Sequence, residues 1–345
     1  MRAVFKNLKK WKHRAEEATR LTHYLGHSVF TNTILGRFPP PRKAREMGPS
    51  IWVALKHWWD CEEKDRQNIE NGLYLAPEEI VPRPKEFLWK SIKSFVDLWD
   101  VKKRIEDRDV SLMDSFTEKV GFPKYYTQSF HFQTDGYLSF HSSELYDHQV
   151  ETVFMGSADT MRRLALAPIV RHLQTKKAGS AAKILDVACG TGKFTRELCR
   201  NFPSAKVTAM DLSPWYLKKA RKLSPQATFL QGNAETIPGK ANRFDVVTCV
   251  FLYHELPPLA RENVSRQVLR TLKPGGIYVH VDSLQKGDVG ELDGSLELFP
   301  DLFHEPFYKG YVESPLESQL QELGFEIVET ELAFYSKITV AQKCL

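Results

Sequence analysis

From residue 183 onward the chain alternates short apolar runs with amphipathic stretches. KILDVA (183–188), KVTAMD (206–211), ATFLQG (227–232), FDVVTCVF (244–251) and GIYVHVDS (276–283) read as strands. Each is almost wholly apolar, as a sheet covered on both faces requires. Between them TGKFTRELCRNF (191–202), SPWYLKKARKL (213–223) and LARENVSRQVLRTLKPGG (259–276) carry apolar residues at helical spacing. Ser213 predicts an N-cap with Pro214 in the first turn, and Ser314 with Glu317 predicts a capping box for a helix that stops at Gly324. FEIVETEL (325–332) and FYSKITVAQ (334–342) lie too close together for a helical crossover and predict a hairpin. The expected architecture is α/β, a doubly wound sheet ending in an antiparallel strand.

The first half reads differently. Val4, Leu8 and Trp11 stand at helical spacing among lysines, FPPPR (38–42) breaks the chain, and PEEIVPRP (77–84) predicts a loop. Trp52, Leu55 and Trp59 form one apolar stripe; Phe87, Ile92, Phe95, Leu98 and Trp99 form another. The pattern divides the chain into a mainly helical extension (1–120), a linking segment (121–160) and the α/β domain (161–345).

Charge sharpens this division. Residues 1–45 hold eleven Lys or Arg against Glu16 and Glu17, a balance of +9, while the other 300 residues carry 37 basic and 41 acidic groups. Such a start suits a solvated amphipathic helix, a grip on nucleic acid, or an organellar transit peptide such as a mitochondrial one. No apolar run is long enough to span a membrane. The five cysteines form no CxxC pair, which suits an intracellular compartment, cytoplasmic or organellar, and excludes a zinc ribbon.

Gly190 and Gly192 fall where a strand turns into a helix, a place for a ligand to approach backbone N–H groups. A Walker A loop is excluded by Val187 and Phe194, and a dinucleotide loop by Thr195 in its third glycine position. Asp186-Val187-Ala188-Cys189-Gly190-Thr191-Gly192 instead resembles the class I S-adenosylmethionine-dependent methyltransferases. Asp211 at the end of the second strand, GNAETIP (232–238), RFDVVTCVFLYHELP (243–257) and LKPGGIYVHVDS (272–283) resemble that family's later elements in order. The fourth is most similar to the ubiquinone/menaquinone-biosynthesis-like (type 11) branch, which mostly methylates small molecules.

The resemblance implies a seven-stranded Rossmann-like sheet and S-adenosylmethionine as cofactor, held by Asp186, Ala188, Gly190, Gly192, Asp211, Leu212, Asn233, Ala234 and Phe251. Asp186 would meet the ammonium, Asp211 the ribose hydroxyls, and Asn233, where many relatives carry Asp, the adenine edge. Phe251 and Leu252 would flank the adenine or the methyl-transfer channel. His254 and Glu255 lie just beyond the fourth strand, where an acceptor should approach; His254 is the preferred general base because imidazole ordinarily titrates near neutrality. Tyr146-Asp147 resembles the family's lid pair, and Tyr137 after Gly136 suits a ring-positioning turn. His304, Glu305, Tyr308 and Tyr311 in the loop 298–315 complete an expected acceptor pocket, with Arg162 and Arg163 available to an acidic acceptor. His131, His141 and His148 match no common metal-ligand spacing, so no metal is expected. Three functions compete: methylation of a small organic acceptor, methylation of RNA or protein gripped by the arm, and a non-catalytic assembly scaffold.

Overall fold

The computed structural model describes residues 2–36, 42–81, 83–107, 121–128, 130, 135–175 and 181–344. Seven strands form one sheet: β1 (Lys183–Val187), β2 (Lys206–Asp211), β3 (Thr228–Gln231), β4 (Phe244–Val250), β5 (Leu272–Ser283), β6 (Phe325–Ala333) and β7 (Ser336–Lys343), in the order β3-β2-β1-β4-β5-β7-β6. The first five are parallel, and β7 runs antiparallel to both β5 and β6. The order reverses between β1 and β4, so a crevice opens beyond their carboxyl ends. The expected hairpin and antiparallel strand are both present.

In chain order the helices are α1 (Arg2–Ile34), α2 (Arg42–Met47), α3 (Ile51–Glu70), α4 (Pro84–Asp107), α5 (Phe140–Val153), α6 (Ala158–Leu164), α7 (Leu166–Gln174) and α8 (Lys193–Asn201). They continue with α9 (Pro214–Leu223), α10 (Pro258–Thr271), α11 (Asp293–Leu302), α12 (Tyr308–Val312) and α13 (Leu316–Glu322). Strand residues alternate between two cores. Leu185, Val187 and Val247 face α10, α12 and α13; Ile184, Val246, Val279 and Val281 face α6 and α7. Trp58 and Cys61 of α3 join that second core, so the N-terminal helices are packed into the α/β unit. No helix among the described residues is long and apolar enough to cross a membrane.

Three local expectations are corrected. On α3 the buried face carries Ala54, Trp58, Cys61 and Asp65, while Trp52 and Trp59 are exposed. On α4 Phe87 and Phe95 pack inward on His23 and His27, beside the buried Ser91, Ser94 and Asp97, but Ile92 faces solvent; Leu98 and Trp99 lie outside the described side chains. Ser314 forms no capping box: α13 starts after Pro315, Leu316 N donates to Gln285 Oε1 at 3.0 Å, and Glu317 pairs with Lys337 at 2.9 Å. Ser213 does cap α9, accepting from Tyr216 N at 3.3 Å. The break at 38–41 and His131 lie outside the described residues.

Buried ion pairs hold the N-terminal helices in place. Arg20 of α1 pairs with Glu62 of α3 at 2.6 Å, and Arg163 of α6 pairs with Asp65 of α3 at 2.6 Å. Ser157 and Thr160 also donate to Glu62, at 2.8 and 3.1 Å, so its charge is well solvated by protein. Removing one partner of such a pair costs roughly 3–5 kcal/mol, because the other charge stays buried. Arg163 is therefore structural and is not offered to an acceptor.

His27 of α1 and His148 of α5 face one another, Nε2 to Nε2 at 3.2 Å, and the His27 ring stacks on Phe95 at 4.8 Å. Burial lowers their pKa values to about 4 and about 3. Each is depressed below the unfolded value, so stability is complete above about pH 6.5 and is lost as pH falls towards 4. Thermal melts should show that decline, and His27→Phe, which keeps the stack on Phe95, should make it shallower. Equal slopes in both proteins would exclude His27 from the acid response.

Candidate active site

The crevice between β1 and β4 is a cleft of about 740 Å³. Its floor is Ala188, Gly190, Asp211 and Leu212; Asn233, Ala234, Phe251 and Leu252 form one side, and Tyr126, Tyr137, Tyr146 and Tyr216 the other, with Glu255 at one end. A second hollow of about 350 Å³, lined by Asp186, Thr191, Arg162 and Lys193, shares Tyr146, Ala188, Gly190 and Phe251 with it. Ala188 and Phe251 both adopt left-handed backbone, at φ 54° and 57°, which lets the chain turn sharply out of β1 and β4.

Two strand-end acids organise the floor. Asp186 accepts from the hydroxyls of Thr195 at 2.6 Å and Thr248 at 2.8 Å. Asp211 accepts from Gly190 N and Ser213 N, both at 2.8 Å, so it fixes the glycine turn itself. Burial outweighs these donors and raises both carboxyls to about 6. Gly192 has a different duty from Gly190. A Cβ there would meet Ala220 Cβ at 2.8 Å, so Gly192 lets α8 approach α9, whereas nothing lies nearer than 4.0 Å to a Cβ on Gly190. Asn233 Oδ1 accepts from Glu235 N at 2.9 Å and thereby shapes the turn that carries Ala234.

A hydrogen-bonded chain closes the far end. Tyr137 donates to Glu255 Oε1 at 2.5 Å, His254 Nε2 lies 3.8 Å from the same oxygen, and His254 Nδ1 meets Asp282 Oδ1 at 2.5 Å. The other Asp282 oxygen accepts from Tyr253 N at 2.7 Å and Leu252 N at 3.2 Å, pinning the turn that carries the pair. Burial opposes charge on His254, but Asp282 outweighs it and raises the imidazole to about 10. The sequence leads one to expect an imidazole titrating near neutrality; the Asp282 carboxylate beside Nδ1 instead favours its protonated form. Burial raises Glu255 to about 7, even against His254 and Tyr137, and Glu255 rather than His254 lines the cleft. Glu305 joins them: ligand-type atoms of His254, Glu255 and Glu305 all lie within 4.8 Å of one another. Of the histidines weighed from sequence, two are described. His148 is paired with His27, and His141 is exposed on α5.

The lid pair does separate work. Asp147 accepts from Thr191 Oγ1 at 2.6 Å and from Lys219 Nζ at 2.7 Å, tying α5 to the glycine loop and to α9. Burial opposes its charge, but Lys219 and Lys193 prevail and hold its carboxyl at about 2. Tyr146 beside it lines both hollows. The stretch 298–315 is largely helical and not an open loop, and this moves its aromatics. Tyr311 is buried in the core and donates to Ser283 O at 3.2 Å, while Tyr308 Oη meets Ser283 Oγ at 2.7 Å and borders His254 edge-on at 6.0 Å. Neither lines the cleft, nor does the half-buried His304. Asp282 and Tyr216 went unnoticed in the sequence, although an acid inside the apolar run GIYVHVDS is a usable signal. Arg162, set 5.2 Å over the Phe251 ring, faces the second hollow.

Residues 184–276 match a family described as a methyltransferase domain. An uncharacterized methyltransferase from Synechocystis sp. is 34% identical over 160 residues, which span 46% of this chain and 74% of that protein. The chain belongs to the class I methyltransferases. This methyltransferase is also similar to the demethylmenaquinone methyltransferase of Chlorobaculum tepidum, 44% identical over 27% of this chain and 38% of that one. A probable phthiotriol/phenolphthiotriol dimycocerosates methyltransferase of Mycobacterium ulcerans is 34% identical over 34% of this chain and 45% of that one. The methyltransferase thus spans less than half of these two relatives. The matched stretch 184–276 holds the glycine turn, Asp211, Asn233 and the His254-Glu255 turn, whereas Tyr137, Asp147, Asp282 and Glu305 lie outside it.

Gly192→Ala tests the helix approach in the methyltransferase. The added methyl overlaps Ala220 at a φ of 84°, so a loss of about 2–4 kcal/mol in denaturant unfolding is expected. A variant as stable as the wild type would show that α8 and α9 have room to part.

Proposed function

We propose that this methyltransferase binds S-adenosylmethionine along the cleft and methylates a small organic acceptor, quinone-, phenol- or lipid-like, with Glu255 accepting the acceptor's proton. The position of Glu255 carries the reading: a half-buried carboxyl lining the cleft, raised to about 7 and oriented by Tyr137. A general base works best with a pKa near the working pH.

The donor set fits the cofactor. Arg162 and Lys193 beside Asp186 suit a methionine zwitterion, and Asp211 has lone pairs beyond its two backbone bonds for ribose hydroxyls. Asn233, Ala234, Leu212 and Phe251 suit a purine, and Tyr126, Tyr137, Tyr146 and Tyr216 suit a sulfonium cation. When bound, S-adenosylmethionine supplies an electrophilic methyl group carried on sulfur. Glu255 takes the proton from the acceptor hydroxyl, leaving the O–H electron pair on oxygen. Tyr137 holds the carboxylate in place, and the His254 imidazolium, fixed by Asp282, offsets the charge left beside it. His254 is thus a positioning residue. The tyrosine wall excludes water.

Among the described residues the cleft lining carries no Lys or Arg, which favours an uncharged or amphipathic acceptor over a phosphate-rich chain. The acceptors for which the two relatives are named, demethylmenaquinone and phthiotriol-type lipids, are of the same kind.

Deprotonated Glu255 accumulates as pH rises through 7, so turnover with a reduced demethylnaphthoquinone should climb there. Glu255→Gln should lower kcat by about a hundredfold or more and abolish that climb. S-adenosylmethionine affinity should stay within about twofold, because the change removes no partner assigned to the cofactor. Turnover at the wild-type level would remove Glu255 from the mechanism. Asp211→Ala should abolish calorimetric binding of S-adenosylmethionine; an unchanged titration would refute the ribose assignment.

A further inference from the structure

Helix α4 carries apolar side chains on both faces: Phe87 and Phe95 pack inward on His23 and His27 of α1, with ring centroids 5.1 and 4.8 Å apart. It turns Ser91, Ser94 and Asp97 inward, while Leu88, Trp89, Ile92 and Val96 stand 46–69% exposed. The residues at 88, 92 and 96 follow one another every four positions, with Trp89 beside them, so they share one face. Val29 and Phe30 at the end of α1 extend the patch; Phe30 contacts Phe95 of α4, with ring centroids 4.6 Å apart. A protein that buries serines and leaves a tryptophan and three aliphatic side chains in water has its apolar partner elsewhere.

The charges around the patch point to its chemistry. Lys85 stands four residues before Trp89 and Lys103 seven after Val96; both are exposed and lie on the same helical face. Lys93 Nζ sits 5.2 Å over the Trp89 ring, a cation and an amphipathic ring at one level. With basic ends, a symmetric pairing of two copies through α4 would set lysine against lysine in either orientation.

We propose that the α1–α4 face docks this protein on an anionic lipid surface, with Leu88, Trp89, Ile92 and Val96 entering the headgroup–acyl boundary and Lys85 and Lys103 meeting lipid phosphates. The inference rests on this face alone and is independent of the acceptor. The opposite side of α4 packs on α5 through Ser91 and His148, 3.4 Å apart, and α5 carries Tyr146 into the cleft. The docked surface is therefore one helix away from the site.

The full chain is sedimented with phosphatidylcholine vesicles and with vesicles that also contain phosphatidylglycerol. It should pellet with the second kind, less so as salt is raised, and Leu88→Gln/Ile92→Gln/Val96→Gln should weaken this by at least about tenfold. Lys85→Glu/Lys103→Glu should weaken it as well. These side chains are exposed, so both variants should fold and bind S-adenosylmethionine as the wild type does. Wild-type protein that stays in the supernatant with both vesicles would overturn the proposal, as would equal binding by the glutamine variant. A dimer that the glutamine variant returns to monomer in analytical ultracentrifugation would overturn it in favour of a second copy.

Discussion

Three aspartates stand buried at the carboxyl ends of β1, β2 and β5, and a charge that deep persists only where donors surround it. Asp186 recruits two threonine hydroxyls, Asp211 recruits the backbone of the glycine turn, and Asp282 recruits His254 and the turn after β4. Some of these donors, Gly190, Ser213 and Leu252, also line the cleft. Solvating these acids and shaping the site are therefore partly the same task. The same rule sets the titration of the site: carboxyls with only neutral donors rise to about 6, while the imidazole facing Asp282 rises to about 10.

The N-terminal helices extend this arrangement outward. Arg20, Glu62, Asp65 and Arg163 bind α1, α3 and α6 into one buried array, and Asp147 binds α5 to the glycine loop. Tyr146 of the cleft thus sits on a helix held from two sides, by His27 and Ser91 behind it and by Thr191 and Lys219 in front. The methyltransferase core and its extension share packing and are not joined by a simple linker.

The sheet was legible because its strands are unbroken apolar runs separated by helical periodicity, a pattern that has few other solutions. The glycine turn, the strand-end acids and the Ser213 cap were legible for a related reason: turn, strand end and cap are local features. What lay between distant segments was not. His254 reads as a neutral base until Asp282, 28 residues away, is placed against it. Arg163 reads as an acceptor contact until Asp65 claims it. Tyr308 and Tyr311 read as loop aromatics because Pro300 and Pro306 hide two short helices. On α4 Phe87 and Phe95 of the expected stripe do face the body, but Ile92 does not, and periodicity alone cannot tell how far round a helix the body will cover.

The position of β7 has a consequence for how the molecule is made. It lies between β5 and β6, yet it follows both in the chain. During synthesis β5 and β6 leave the ribosome with facing edges that cannot pair, because the strand that joins them has not emerged. Until residues 336–343 arrive, β5 presents an apolar, unpaired edge to the cell, and the sheet holding the cleft ends there. Insertion of β7 is then a final wedge that completes both halves at once. A chain stalled or clipped shortly before it would be a target for chaperones and would not be a slightly shortened enzyme.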